Sequence, residues 1–200
     1  MKIGILGAGK IGGTLGRKWA VAGHQLAFGV RNTTNPDALA LTQSLGAALT
    51  TSAEAIAFGD VIVFALPGPA MAEMIAGNAA ALNGKIVIDT ANKLGSAVFN
   101  SFAEFAMHSP QAQTFRAFNT LGWENFAEPM FGSVQADLFY AGPEGQPQSL
   151  VEQLIADVGL RPVRVGGPAQ VAVVDAITSL WFALAMGQKR GRHLAFKVLA

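Results

Sequence analysis

The residues whose types and spacing could do chemistry stand first in the chain: Gly7-Ala8-Gly9-Lys10-Ile11-Gly12, a G-x-G-x-x-G run. That pattern suits the binding of a pyrophosphate. Gly7 permits a tight turn, Gly9 lets backbone approach the phosphates, and Gly12 lets the following helix pack close to the preceding strand. A helix that begins there offers free N–H groups and the positive end of its dipole to an anion. Nineteen residues past Gly12 comes Arg31, in "LAFGVRNTTNP". Dinucleotide-binding proteins that take NAD place a carboxylate after the second strand, where it accepts from the ribose 2′-hydroxyl. Here no Asp or Glu occurs between Met1 and Pro36. A guanidinium at that place can grip a 2′-phosphate with two charge-assisted hydrogen bonds, and Asn32, Thr33 and Thr34 add neutral donors. The pair of motifs predicts NADP(H), with Val30 and Arg31 at its adenosine end.

Groups able to move a proton are scarce. The chain has three histidines and no cysteine, which excludes thiol catalysis, disulfides and thiolate metal sites. His24 follows the Gly23 stop and suits a structural turn; His108 and His193 have no acidic partner at a useful spacing. No metal-binding spacing is present. Asp175 reads as a capped core residue rather than a functional carboxylate. The catalytic residues are therefore left unassigned. Hydride transfer to an acceptor that needs no positioned acid fits this shortage. Two alternatives remain: a reductase of imines or carbonyls, with Lys93 as the one lysine candidate for donor, and a non-catalytic protein that senses NADP(H).

The elements that must position these residues alternate. Strand signals lie at Lys2–Leu6, Gln25–Val30, Val61–Leu66, Lys85–Asp89, Thr114–Asn119, Ala136–Ala141 and Pro162–Val165, with a shorter one at Ala47–Thr50. Helices are predicted over Ile11–Ala22, Pro36–Leu45, Ala70–Leu82, Ser96–Met107 and Pro147–Val158. Apolar strands alternating with helices predict an α/β fold, a Rossmann-type doubly wound parallel sheet. Ligands of such sheets bind beyond the carboxyl ends of the strands. That adds the loops Leu66-Pro67, Asn92 and Asn119-Thr120 to the candidate site.

From Pro168 the strand signal ends, and the stretch to Ala200 has helical periodicity. We expect a Rossmann domain over 1–166 and a small C-terminal helical extension over 167–200. Ala169–Met186 is apolar enough to raise a membrane span, but Asp175 in its middle argues for burial against protein. The expected occupant is the acceptor side of the coenzyme cleft together with a second subunit in a homodimer, with Trp181 or Phe182 able to stack on a planar ring. Charged residues are 14% of the chain against a typical ~25%, and the net charge is +1. That balance gives no reason to expect nucleic acid or an acidic membrane as partner. The apolar start is interrupted by glycines and used as a strand, so the expectation is a soluble cytoplasmic protein with a small-molecule acceptor.

The chain resembles the coenzyme F420-dependent NADP oxidoreductase family. The resemblance rests on "ILGAGKIGGTLGRKWAVAGHQLAFGVR", "VFALPGPA", "VIDTANKL", "RAFNTLGWENFAEP" and "GLRPVRVGGPAQVAVVDAITSLW", in the family's order. It implies NADP on the Gly-rich turn at Ala8, Gly9, Lys10 and Ile11, with its 2′-phosphate near Val30 and Arg31. It also implies a nicotinamide side formed by Leu66-Pro67, Asn92 and Asn119 to Trp123. The implied acceptor is a deazaflavin (coenzyme F420) or a flavin-like compound, stacked on the nicotinamide.

Overall fold

A computed structural model of the chain describes residues 1–199. It divides into two compact units, Met1–Thr114 and Phe115–Ala200.

The first unit opens with β1 (Lys2–Leu6), α1 (Lys10–Val21), β2 (Gln25–Gly29), α2 (Pro36–Leu45), β3 (Ala48–Thr50), α3 (Ser52–Phe58) and β4 (Val61–Phe64). A 3₁₀ turn at Gly68–Ala70 leads into α4 (Met71–Gly77), followed by α5 (Ala79–Leu82), β5 (Ile86–Asp89) and α6 (Phe102–His108). Its strands run parallel in the order β5-β4-β1-β2-β3. The chain starts in the middle strand and winds outward in both directions, as a Rossmann-type unit does. Every residue of β4 and β5 is buried, as is all of β1 past Lys2, so helices cover both faces of the sheet. Register aligns Leu6 with Gly29 on one side and Phe64 on the other, and Phe64 with Asp89. The loops that follow these four residues therefore leave the sheet along one edge.

The helices depart from expectation where side chains intervene. The predicted Ala70–Leu82 helix breaks at Asn78, whose Nδ2 donates to Met74 O. The predicted start at Ser96 moves to Phe102. There the buried Asp89 takes the Ser101 N–H at 2.8 Å and Asn100 Oδ1 takes the Phe102 N–H, so side chains set the helix end. α3 was not foreseen. It is fixed by a capping box: Thr51 Oγ1 accepts from Glu54 N, and Glu54 Oε2 accepts from Thr51 N. Hydrogen bonds from Thr50 and Thr51 hold the Glu54 carboxyl down to about 2.

The second unit takes in the end of β6 (Gln113–Arg116), α7 (Glu124–Ala127), the hairpin β7 (Met130–Phe131) and β8 (Val134–Gln135), and β9 (Asp137–Ala141). It continues through α8 (Gln146–Val158), β10 (Arg161–Gly166) and α9 (Val171–Phe182), which ends in a π-helical turn at Ala183–Gly187. β9 and β10 are parallel, with Leu138 opposite Pro162. β6 ends three residues before the predicted Asn119, because Phe118 enters the left-handed region (φ 59) and packs edge-on against Phe126. Fully buried Arg116 pairs with Asp175 of α9 at 2.8 Å, which gives the mid-helix charge a protein partner. Pro168–Gly187 is long and apolar enough to cross a membrane by length and composition alone. Past the π turn the expected helix gives way to an irregular strap. Trp181 Nε1 donates to Leu194 O, Asn125 Nδ2 donates to Arg192 O, and Val198 N donates to Asp137.

Candidate coenzyme site

The edge of the first unit builds the site from its glycines upward. Gly7 has φ +103, and a Cβ on it would stand 2.4 Å from Ala65 O. A Cβ on Gly12 would stand 2.1 Å from Gly7 O, so the first turn of α1 lies directly on the preceding loop. Gly9 differs. Its φ of −76 is open to any residue, and a Cβ on it would meet nothing within 4 Å. It faces open space, where a pyrophosphate would approach. α1 has no side-chain cap hydrogen bond and no acidic residue in its first turn, so neither a cap nor a carboxylate would compete there with an anion at the helix N-terminus.

Beside this turn lies a cavity of about 370 Å³ lined by Ala8, Gly9, Val30, Arg31, Asn32, Asn35, Asp37 and Ala38. It brings together the Gly-rich turn and the end of β2, as the spacing predicts, and adds the start of α2. Arg31 is exposed and, among the described residues, has no ion-pair partner. The side chains around it are oriented by the backbone. Asn32 Oδ1 accepts from Thr34 N at 2.9 Å and Thr34 Oγ1 at 2.7 Å, leaving its amide NH₂ to donate elsewhere. Asn35 caps α2 by accepting from Ala38 N at 3.0 Å, which leaves its NH₂ in the same position. Thr33 is exposed in the same loop. A guanidinium and amide donors around an open cavity fit a phosphate ester on a ribose.

The next loops continue the edge. A Cβ on Gly7 would lie 3.4 Å from Leu66 Cδ2, which places Leu66 beside the Gly-rich turn. A Cβ on Gly68 would lie 2.8 Å from Lys93 Cα and 3.1 Å from Asn92 O. The Leu66-Pro67-Gly68 loop and the Asn92-Lys93 loop are thus in contact. Asp89 shapes the second of these by accepting from Ala91 N, and Thr90 Oγ1 donates to Phe64 O. Lys93 is held in an ion pair with Glu104. Burial pushes the Glu104 carboxyl up, but the Lys93 contacts help bring it below its ordinary value.

The remaining expected site residues belong to the second unit. Asn119 and Thr120 are buried there, and Asn119 Nδ2 donates to Thr178 Oγ1 at 2.8 Å. Trp123 is half-buried at the start of α7. Trp181 is not available to stack on a planar ring: it is 2% exposed, Arg192 lies over its ring, and Phe182 meets it edge-on. His24 sits 3.2 Å from the terminal amino group, a structural contact. Among the described residues no three His, Asp or Glu side chains gather as metal ligands. Asn35, Asp37 and Ala38 are the pocket residues that sequence reasoning missed. Asn-Pro-Asp is a helix start, and its first turn curls back toward the end of β2.

The family model described as NADP oxidoreductase, coenzyme F420-dependent, matches residues 2–93. In fold, the chain is similar to a candidate F420-dependent NADP-reductase of Arthrobacter sp. FB24, with TM-score 0.85, 21% identity and all of both chains covered. A hypothetical protein of Sinorhizobium meliloti aligns at 26% identity and TM-score 0.68, over 84% of this chain and 86% of that one. A reductive aminase of Aspergillus terreus in complex with NADPH aligns at 23% identity and TM-score 0.69, over 93% of this chain and 62% of its own. The span of that family match, residues 2–93, holds the whole of this pocket, and over it the chain is similar to NADP oxidoreductases of the coenzyme F420-dependent family.

Proposed function

We propose that the protein transfers hydride between NADP(H) and a planar acceptor of the deazaflavin class, coenzyme F420 or a flavin-like ring. The observation that carries this is the cavity in which an unpaired Arg31 stands beside the Gly-rich turn. The chain's own residues hold the coenzyme. Arg31 and the Asn32 amide grip the 2′-phosphate, the amides of Lys10 and Ile11 take the pyrophosphate, and Leu66, Pro67 and Asn92 border the nicotinamide. When bound, the coenzyme supplies the hydride at nicotinamide C4.

The family description and the shortage of acids both support a deazaflavin. His24 lies away from the strand carboxyl ends, His108 closes α6, and Lys93 is tied to Glu104. Such an acceptor takes hydride at a ring carbon and draws its proton at a ring nitrogen from solvent, so alignment carries the step rather than a side-chain acid. NADPH oxidation measured against a deazaflavin, flavins, quinones, ferric chelates and imines tests the proposal. Turnover with the deazaflavin is expected; turnover with imines or carbonyls alone would overturn it. We further propose a homodimer, since Val173 and Leu180 of α9 and Met186 beyond it are apolar and about half exposed.

A further inference from the structure

We propose that Asp37 is a second specificity-determining residue of the pocket, one that favours the ribose 2′-hydroxyl of NAD(H) over the 2′-phosphate and gives the protein measurable affinity for both coenzymes. The inference rests on the coenzyme site proposed above. Asp37 lines the same cavity as Arg31. The two carry opposite charges, yet among the described residues neither has an ion-pair partner, so both remain available to a ligand. Asp37 cannot easily withdraw. It is the second residue of α2, fixed between Pro36 at the first position and the Asn35 cap on Ala38 N.

The cavity therefore meets the 2′ position of a ribose with two answers. A 2′-phosphate carries close to two negative charges; Arg31 attracts it and Asp37 repels it. A 2′-hydroxyl carries none. It donates a charge-assisted hydrogen bond to the carboxylate and gains nothing special from the guanidinium. An acidic residue in the first turn also suits the helix dipole. That structural role, however, would change stability without separating one ligand from the other.

The test uses adenosine 2′,5′-bisphosphate and 5′-AMP as probes, titrated calorimetrically against the wild type, Asp37→Asn and Arg31→Ala, with NADPH and NADH alongside. Asp37→Asn keeps size and removes charge. It is expected to bind the bisphosphate and NADPH about 3- to 10-fold more tightly and 5′-AMP and NADH about 3- to 10-fold more weakly. The gain for the bisphosphate shrinks as salt is raised, since both groups are exposed. If both probes shift by one common factor, or neither shifts, Asp37 has no discriminating role while the coenzyme site stands. A wild type that binds neither probe nor either coenzyme would overturn the coenzyme site and this inference with it.

Discussion

At the scale of single residues, two glycines of the turn, Gly9 and Gly12, should fail differently when a side chain is added. Gly9 has ordinary dihedrals and open space around its Cβ position, so Gly9→Val should fold and melt within a few degrees of the wild type. It should bind NADPH at least about 100-fold more weakly, because the valine occupies the phosphate approach. Circular dichroism melts and NADPH fluorescence titration check both halves; unchanged affinity would place the pyrophosphate elsewhere. Gly12→Val should instead cost about 3 kcal/mol or more of stability, since its Cβ would overlap Gly7 O. A Gly12→Val protein with wild-type urea stability would contradict the packing described. These roles are legible in the sequence because they are local, set by a few bonds between the glycines. Arg31 is legible for the same reason. Asp37 is not: the absence of acids before Pro36 invites the inference that the pocket has no carboxylate, and only the return of α2 toward β2 puts one there.

At the scale of elements, one carboxylate holds the end of the C-terminal strap. Asp137, buried at the start of β9, accepts from Arg161, from Lys197 at 3.1 Å and from the Val198 N–H at 2.7 Å. Burial pushes its carboxyl up, but these hydrogen bonds outweigh that and leave it below the usual range. A carboxyl lowered in the folded state contributes stability above its unfolded value, about 4, and loses it as pH falls through the folded value. Asp137→Asn should therefore cost roughly 1–3 kcal/mol at pH 7, the lower end reflecting a half-exposed Arg161. The gap to the wild type should narrow as pH drops below about 4. Urea unfolding at pH 7 and pH 3 checks this; a gap of equal size at both would contradict it. Strands and long helices were legible from periodicity. The strap was not, because its hold comes from side chains far away in sequence: Asn125, Asp137 and Trp181. α3 was legible in principle, from Thr51 and Glu54 at capping-box spacing.

At the scale of the whole molecule, the composition of α9 bears on assembly. The sequence predicts that the apolar stretch Ala169–Met186 is covered on more than one face, by the coenzyme cleft and by a second subunit. In the fold Trp181 is buried while Leu180 is 49% exposed, and Val173 and Met186 lie open as well. Sedimentation at micromolar concentration should show a dimer, and Leu180→Glu should shift it to monomer without altering NADPH affinity. A wild type that sediments as a monomer would remove the dimer. The central claim, however, is the coenzyme, and titration of NADPH and NADH into the wild type and Arg31→Ala tests it most directly. The account predicts a loss of roughly 1.5–3 kcal/mol for NADPH, about 10- to 150-fold, with NADH nearly unchanged. Equal losses for both coenzymes, or no loss for either, would contradict it.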